Sequence, residues 1–476
     1  MFEILIEGEI SATVMEGEIS ATNKGGSALI LENFKFRKAH ISKLGEIRWR
    51  CSIRGCTATV YTTTSNLTSI IRRANDHCHQ KDERKIIRQR VTQAAKRKAI
   101  EDCSTKPAKV IRLGIHSVEG AESIITERDI TSIRKNCYYA RRQMTPPLPK
   151  SSKEVQLALN KMDVFTTRGE NFLLSNDIVT NIIVFSCKTN LQFLCDVESI
   201  YMDGTFNYCT KFYTQMFTMH GLKNGHYIPL VFCLLPNKLA ETYSNLFKIL
   251  KHKCEEMSMA LQPRTITVDF EKGIHYAIAE VFPESKILGC RFHLGQAWWR
   301  KIQKLGLSVP YKNPDSLIGK WLKYPFGLAY LDPSDVGECF ALDFAEDMPE
   351  NKNLRQFYDY LVENYIDEDS AFPPSMWAEN SSSFERTTNA CESFHSKFNS
   401  SFYSYHPDLY TFINVLINDF QFQTYIKMQS VDEIMRMRPN LVRKRDSIEH
   451  LIAQLKNGSI SRFHFVKCIS HYWAIN

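Results

Sequence analysis

Strand-length apolar runs at 182–187, 197–203, 213–220, 227–235 and 264–269 constrain this chain most, because stretches of helical periodicity at 240–258 and 271–281 fall among them. Short apolar runs alternate with helices when the strands share a sheet whose faces the helices cover. The segment from about residue 170 therefore predicts an α/β fold with a mixed sheet. After residue 293 the strand signals fade, and 294–370 predicts helices anchored by Trp298, Trp299, Trp321, Phe340, Phe344, Phe357 and Tyr360. Further helices are predicted at 384–402 and 408–435, and 436–476 is a basic tail with a less clear pattern. The longest apolar run, Tyr227 to Leu235, is far below the roughly 18 residues of a membrane span.

The N-terminal part is organised differently. The heptapeptide Glu-Gly-Glu-Ile-Ser-Ala-Thr occurs at 7–13 and again at 16–22. Two copies are too few for a solenoid, so residues 1–23 are expected to be a disordered leader. Residues 24–80 predict a compact strand-rich module, with strands at Ala28–Glu32, Phe34–His40 and Ile47–Cys51. Residues 81–150 predict basic helices, at 81–102 and 126–144, ended by Thr145-Pro146-Pro147-Leu148-Pro149. The net charge is +8, but its distribution matters more. Arg84, Lys85, Arg88, Arg90, Lys96, Arg97, Lys98, Arg134, Lys135, Arg141 and Arg142 crowd this one segment, as a helical linker or small DNA-binding unit would require. The acidic residues of Met1 to Glu9 argue against a secretory signal. The 14 cysteines are scattered, which suits a reducing compartment and metal binding rather than a disulfide framework.

Cys51, Cys56, His77 and His79 form Cys-x4-Cys followed by His-x-His. Zinc takes four soft or borderline ligands in a tetrahedron, and two short pairs joined by a loop supply them. A module this short has a meagre core, so the metal would contribute to folding directly. Cys78, between the histidines, is an alternative ligand. With Phe34, Phe36 and Trp49 before and between these ligands, the stretch resembles the FLYWCH-type zinc finger. The resemblance implies DNA or protein binding.

Asp203 closes one strand run and Asp269 another, while Glu392 lies in the helical run Asn389 to His395. Singly, each has an ordinary role in a turn, a cap or a solvated helix face. Together, two acids at neighbouring strand ends and a third on a packed helix can hold divalent cations for phosphodiester chemistry, and hard oxygen ligands suit Mg²⁺ or Mn²⁺. Glu379 and Glu385 compete for the third place; the Asn389–Glu392–His395 spacing, which sets all three near one helix face, favours Glu392. Over residues 195–400, Asp203-Gly204-Thr205-Phe206, Phe212 to Pro229, Asp269 with Phe282-Pro283, Cys290-Arg291-Phe292-His293 and Thr388-Asn389 to His395 resemble the transposases of Mutator-like elements, the MULE group.

That resemblance implies an RNase H-like catalytic domain at 170–293 and 375–435, interrupted by a helical insertion at 294–374. It implies a catalytic triad of Asp203, Asp269 and Glu392 with Mg²⁺ or Mn²⁺. Its Cys-x2-His element falls on Cys290 and His293, which with His395 either complete the active-site wall, bind metal, or brace the strand end. The expected function is DNA strand cleavage and strand transfer in the nucleus, on double-stranded DNA such as transposon terminal repeats, with no membrane partner and self-association left open. The rival readings are a domesticated DNA-binding regulator without catalysis and a FLYWCH-mediated protein-interaction module.

Overall fold

The computed structural model describes residues 16–21, 26–102 and 105–472, divided into two compact units after Pro147. Among the described residues, the first unit begins with a six-stranded antiparallel sheet in sequential order. Its strands are β1 (Glu18–Ala21), β2 (Ser27–Leu31), β3 (Phe34–Ile41), β4 (Glu46–Cys51), β5 (Thr59–Thr63) and β6 (Arg72–Ala74). The hairpin β2–β3 turns on Glu32 and Asn33, both at positive φ (52° and 66°), the backbone a two-residue type I′ turn needs to match strand twist. One face buries Leu29, Leu31, Phe36, Ile47, Trp49 and Val60, and Trp49 Nε1 donates to Thr62 Oγ1 at 2.8 Å.

The first heptapeptide copy lies outside the described residues, but the second supplies β1. Within the leader expected over residues 1–23, Glu18 to Ala21 form a strand instead, paired with Ile30 to Ser27. Side chains hold this edge as well. Gln89 Nε2 donates to Ser20 Oγ at 2.6 Å, and Arg90 pairs with Glu18 at 2.7 Å.

Helices α1 (Glu83–Glu101), α2 (Pro107–His116) and α3 (Glu127–Met144) complete the first unit. Ile87, Val91, Ala95 and Ala99 recur every fourth residue on α1 and meet Val110, Ile111, Ile133 and Cys137 in a core of their own, as an amphipathic stripe must. Thr126 and Asp129 form a capping box for α3, and Arg84 and Arg88 reach the same buried Asp129 at 3.4 and 3.2 Å. The segment is thus a packed helical bundle, not an extended connector.

In the second unit, the described residues form a seven-stranded sheet in the order β13-β12-β9-β10-β11-β8-β7. The strands are β7 (Leu173–Asp177), β8 (Ile182–Phe185), β9 (Ser199–Thr205), β10 (Gln215–Lys223), β11 (His226–Leu235), β12 (Thr265–Val268) and β13 (Lys286–Gly289). Strands β9, β12 and β13 run parallel, and the remaining pairs are antiparallel. On one face lie α4 (Ala240–Glu256) and α5 (Lys272–Val281), burying Tyr243, Phe247, Leu250, Ile274 and Ile278. After β13 comes α6 (Arg291–Lys304), and the opposite face is covered by α7 (Asn389–Ser400) and the helices up to α8 (Phe422–Met428), through Phe394, Phe398, Phe412 and Leu416.

The helical segment after residue 293 has a separate core of Trp298, Trp321, Phe340, Phe357 and Trp377. This core also takes Ile448 and Ile452 from α9 (Pro439–Lys456) and Phe465, Val466 and Ile469 from α10 (Arg462–Ser470). Residues 436–470 are therefore no loose tail: they complete the helical layer. The close approach depends on Gly327, where an added Cβ would stand 2.3 Å from the Val466 carbonyl oxygen. Gly327→Ala is expected to cost about 1–3 kcal/mol. It should show as a lower urea midpoint and faster proteolysis at Asn457–Ser461; an unchanged midpoint would show that the layer yields freely there.

Candidate functional site

Two constellations carry chemistry, one in each unit. In the first unit, Cys51 ends β4, Cys56 lies in the following loop, and His77 and His79 follow β6. Their ligand atoms all lie within 4.8 Å of one another. Cys51 Sγ is 3.2 Å from His79 Nε2, Cys56 Sγ is 3.5 Å from His77 Nδ1, and the two ring nitrogens are 3.3 Å apart. A tetrahedral zinc ion sets N and S ligands about 3.3 to 3.8 Å apart, so this donor set fits zinc. His79 Nδ1 lies 2.8 Å from the Gln80 carbonyl, a contact that fixes the tautomer and leaves Nε2 for the metal. The His77 ring stacks on Phe34 at 3.6 Å. Burial pushes the Cys56 thiol up, but the backbone N–H groups of Cys78 and Ala58 pull it down to about 7, easing thiolate formation. Cys78 is exposed and is not one of the four gathered ligands.

In the second unit, parallel pairing aligns three strand ends. Thr265, Ile266 and Thr267 of β12 pair with Ser199, Ile200 and Tyr201 of β9. Continuing that offset sets Asp269 opposite Asp203. The β12–β13 register likewise sets Cys290 opposite Asp269, and Cys290 N donates to the Val268 carbonyl at 2.7 Å. The carboxyl ends of parallel strands are where α/β sheets place ligands. Here a cavity of about 200 Å³ is lined by Asp203, Asp269, Glu271, Lys238, His293 and Gln296, among others.

Glu392 is not on the cavity wall; it reaches the wall through His293 at 3.2 Å. Asp203 Oδ2 meets His395 Nδ1 at 3.1 Å. Among the described residues, the N-terminal cluster is the one group of ligand atoms gathered within 4.8 Å, so the three carboxylates do not form a second. Each of Asp203 and Glu392 instead holds a histidine. One proton assignment satisfies the buried chain behind Asp203: His220 donates to Thr218 Oγ1 (3.1 Å), Thr218 donates to His395 Nε2 (2.9 Å), and His395 Nδ1 donates to Asp203. Burial keeps His220 neutral, well below the ordinary histidine range.

Electrostatics single out two wall residues. Burial pushes the Asp269 carboxyl up to about 6; His293 opposes this, and the charges of Glu271 and Asp203 add to it. Burial disfavours the His293 cation, yet the Cys290 and Glu392 hydrogen bonds and the Asp203 charge raise it to about 11. Cys290 itself is buried and accepts from Thr388 N at 3.1 Å and Thr388 Oγ1 at 3.2 Å. Thr388 is the residue before α7, so this thiol ties the Glu392 helix to the strand ends. Glu379 is engaged by Arg386 at 2.6 Å, and neither it nor Glu385 lines the cavity.

Sequence reasoning passed over Glu271 and Lys238, which pair at 2.8 Å on the cavity wall. The spacing Asp269-Phe270-Glu271 was the available signal, since residues two apart leave an extended segment on one side. In the first unit, α3 exposes Arg128, Arg134, Lys135, Tyr138, Tyr139 and Arg142, a basic face with interleaved aromatics. No helix of the described residues is long and apolar enough to cross a membrane.

Compared with known families, residues 19–79 match the FLYWCH zinc finger domain and residues 199–297 match the MULE transposase domain. The first match contains all four Cys and His ligands. The second contains Asp203, Asp269, Cys290 and His293 and ends before Glu392 and His395. No curated protein sequence matches the chain.

Proposed function

We propose that this chain, which joins an N-terminal FLYWCH zinc finger domain to a MULE transposase domain, is a DNA transposase that cuts DNA strands and joins the freed end to target DNA. One observation carries the reading: Asp203 and Asp269 stand at adjacent parallel strand ends on one cavity, inside the matched transposase domain. The mixed sheet, with antiparallel strands followed by parallel strand–helix units and helices on both faces, supports an RNase H-like catalytic fold.

Asp203 and Asp269 would hold Mg²⁺ or Mn²⁺, with Glu271 beside them and Glu392 entering through an exchange of its His293 contact. Such an ion supplies a nucleophilic water and charge stabilisation at the leaving oxygen. The chain's own groups do the rest. His395, oriented by Thr218, donates to the Asp203 carboxylate and aims it. His293, cationic at neutral pH, is placed to neutralise a phosphate. The zinc finger and the basic face of α3 would hold the duplex chiefly through its backbone phosphates. Transposon terminal repeats are the DNA partner this reading implies, and the nucleus is its place of action.

A second reading is a captured, DNA-binding regulator without chemistry; the histidine pairing of Asp203 and Glu392 favours it. Plasmid nicking by the purified chain with Mn²⁺ separates the two. The wild type is expected to nick, and Asp203→Asn to lower the rate about 100-fold or more. Equal rates would remove Asp203 from the chemistry. DNA retention without nicking in either protein would establish the regulator, and loss of both would leave the finger as a protein-binding module.

A further inference from the structure

A second cavity, of about 260 Å³, lies against a different face of α7 from the one that bears Glu392 and His395. Ser393, Phe394 and Lys397 of α7 form one wall, and Gln423, Thr424 and Lys427 at α8 form another. The third is the β10–β11 turn and the start of β11, from Gly225 to Pro229. The floor is apolar, with Phe394, Phe420 and Pro229, and the rim carries cations and neutral donors.

The charge pattern is one-sided. No Asp or Glu lines this cavity. Lys397 Nζ donates to the neutral Gln423 Oε1 at 2.5 Å, and Lys427 Nζ donates to the Tyr227 carbonyl at 3.3 Å. Among the described residues neither lysine has a carboxylate within ion-pair distance, although both are solvent-accessible. Protein packed around the Lys427 ammonium, then the nearby Lys397 charge, hold it below the ordinary lysine value. Two facing ammonium groups with no counter-charge repel until an anion arrives. An oxyanion with several acceptor oxygens satisfies both, together with Ser393, and a sugar ring suits the apolar floor.

We propose that this cavity is a phosphate subsite in which Lys397 and Lys427 jointly bind a backbone phosphate of a DNA strand. The assignment rests on the DNA-binding reading and adds to it a specific foothold. Because α7 also carries Glu392 and His395, a strand seated here would bear on the helix that holds His293 and Asp203 of the carboxylate cavity.

The test is acylation footprinting of the full chain, with and without a defined duplex, combined with salt titration of DNA binding by anisotropy. DNA is expected to protect Lys397 and Lys427 from acylation. Lys397→Ala/Lys427→Ala should reduce the slope of log affinity against log salt by about 0.7 to 0.9, the loss of one phosphate contact. Lys397→Arg/Lys427→Arg should keep the slope, which guards against a folding defect in the alanine pair. Wild-type DNA binding with both lysines unprotected and the slope unchanged would overturn the subsite and leave the DNA reading intact. Equal protection by millimolar inorganic phosphate alone would also overturn it, by showing a free-ion site. Failure of the wild type to bind DNA at all would defeat the DNA reading first and this inference with it.

Discussion

Stripping zinc from this protein with a strong chelator is expected to unfold the six-stranded N-terminal sheet. The ligands clip together three places in that sheet: the end of β4, the loop after it and the segment beyond β6. The apolar core they support is small, centred on Trp49, Phe36 and Leu29, and a core of that size leaves little stability to spare. Structural zinc contributes about 10–16 kcal/mol of apparent binding energy in small finger domains, more than such a core supplies alone. Cys51→Ala removes one thiolate from the set and should lower zinc content by one equivalent. It should also open the Arg48–Arg54 region to trypsin. A chelated protein that keeps zinc-free trypsin resistance there would show that the sheet stands on packing alone.

Asp269→Asn is expected to do two opposite things: abolish strand cleavage and make the fold more stable at neutral pH. The wild-type carboxyl titrates near 6 in the folded chain against an ordinary value of 3.8. Below pH of about 4 the group is protonated whether the chain is folded or not, and it carries no penalty. Between about 4 and 6 the unfolded chain ionises first, so stability falls as pH rises. Above about 6 the loss is complete, at about 3 kcal/mol as an upper figure. Asn carries no charge, so the variant should melt on the order of 5 °C higher at pH 7.5 and equally at pH 4. A wild type as stable as the variant at both pH values would contradict the strained-carboxylate account. Retained nicking by the variant would remove Asp269 from the chemistry. Stability given up at a group the reaction needs is the usual signature of a functional site.

Five strands of the second unit, β8 to β12, were legible because their burial is two-sided. The run Ile182 to Phe185 and the run Ile228 to Leu235 are wholly buried, and continuous apolar segments are what a doubly covered strand requires. The zinc ligands were legible for a different reason: their spacing is local and their chemistry specific. The partners of the carboxylates were not legible. His293 meets Glu392, and Thr388 meets Cys290, across nearly a hundred positions of chain, and no short-range pattern encodes such contacts. Strand β1 was missed because a repeated peptide of small and acidic residues has weak strand propensity; Gln89 and Arg90 hold it from the neighbouring helix. The helices at 439–470 were missed because their buried faces are narrow, with Ile448 and Ile452 the buried residues of α9.

The sharing of one core between the segment after α6 and the helices α9 and α10 bears on how the protein is made. Trp298, Trp321 and Trp377 emerge from the ribosome long before Phe465, Val466 and Ile469, so these large apolar surfaces wait in water for their last partners. During synthesis the mixed sheet can assemble while the layer beside it stays open. A ribosome stalled before residue 460 would therefore present a half-closed layer to chaperones and proteases, and only emergence of α10 would seal it.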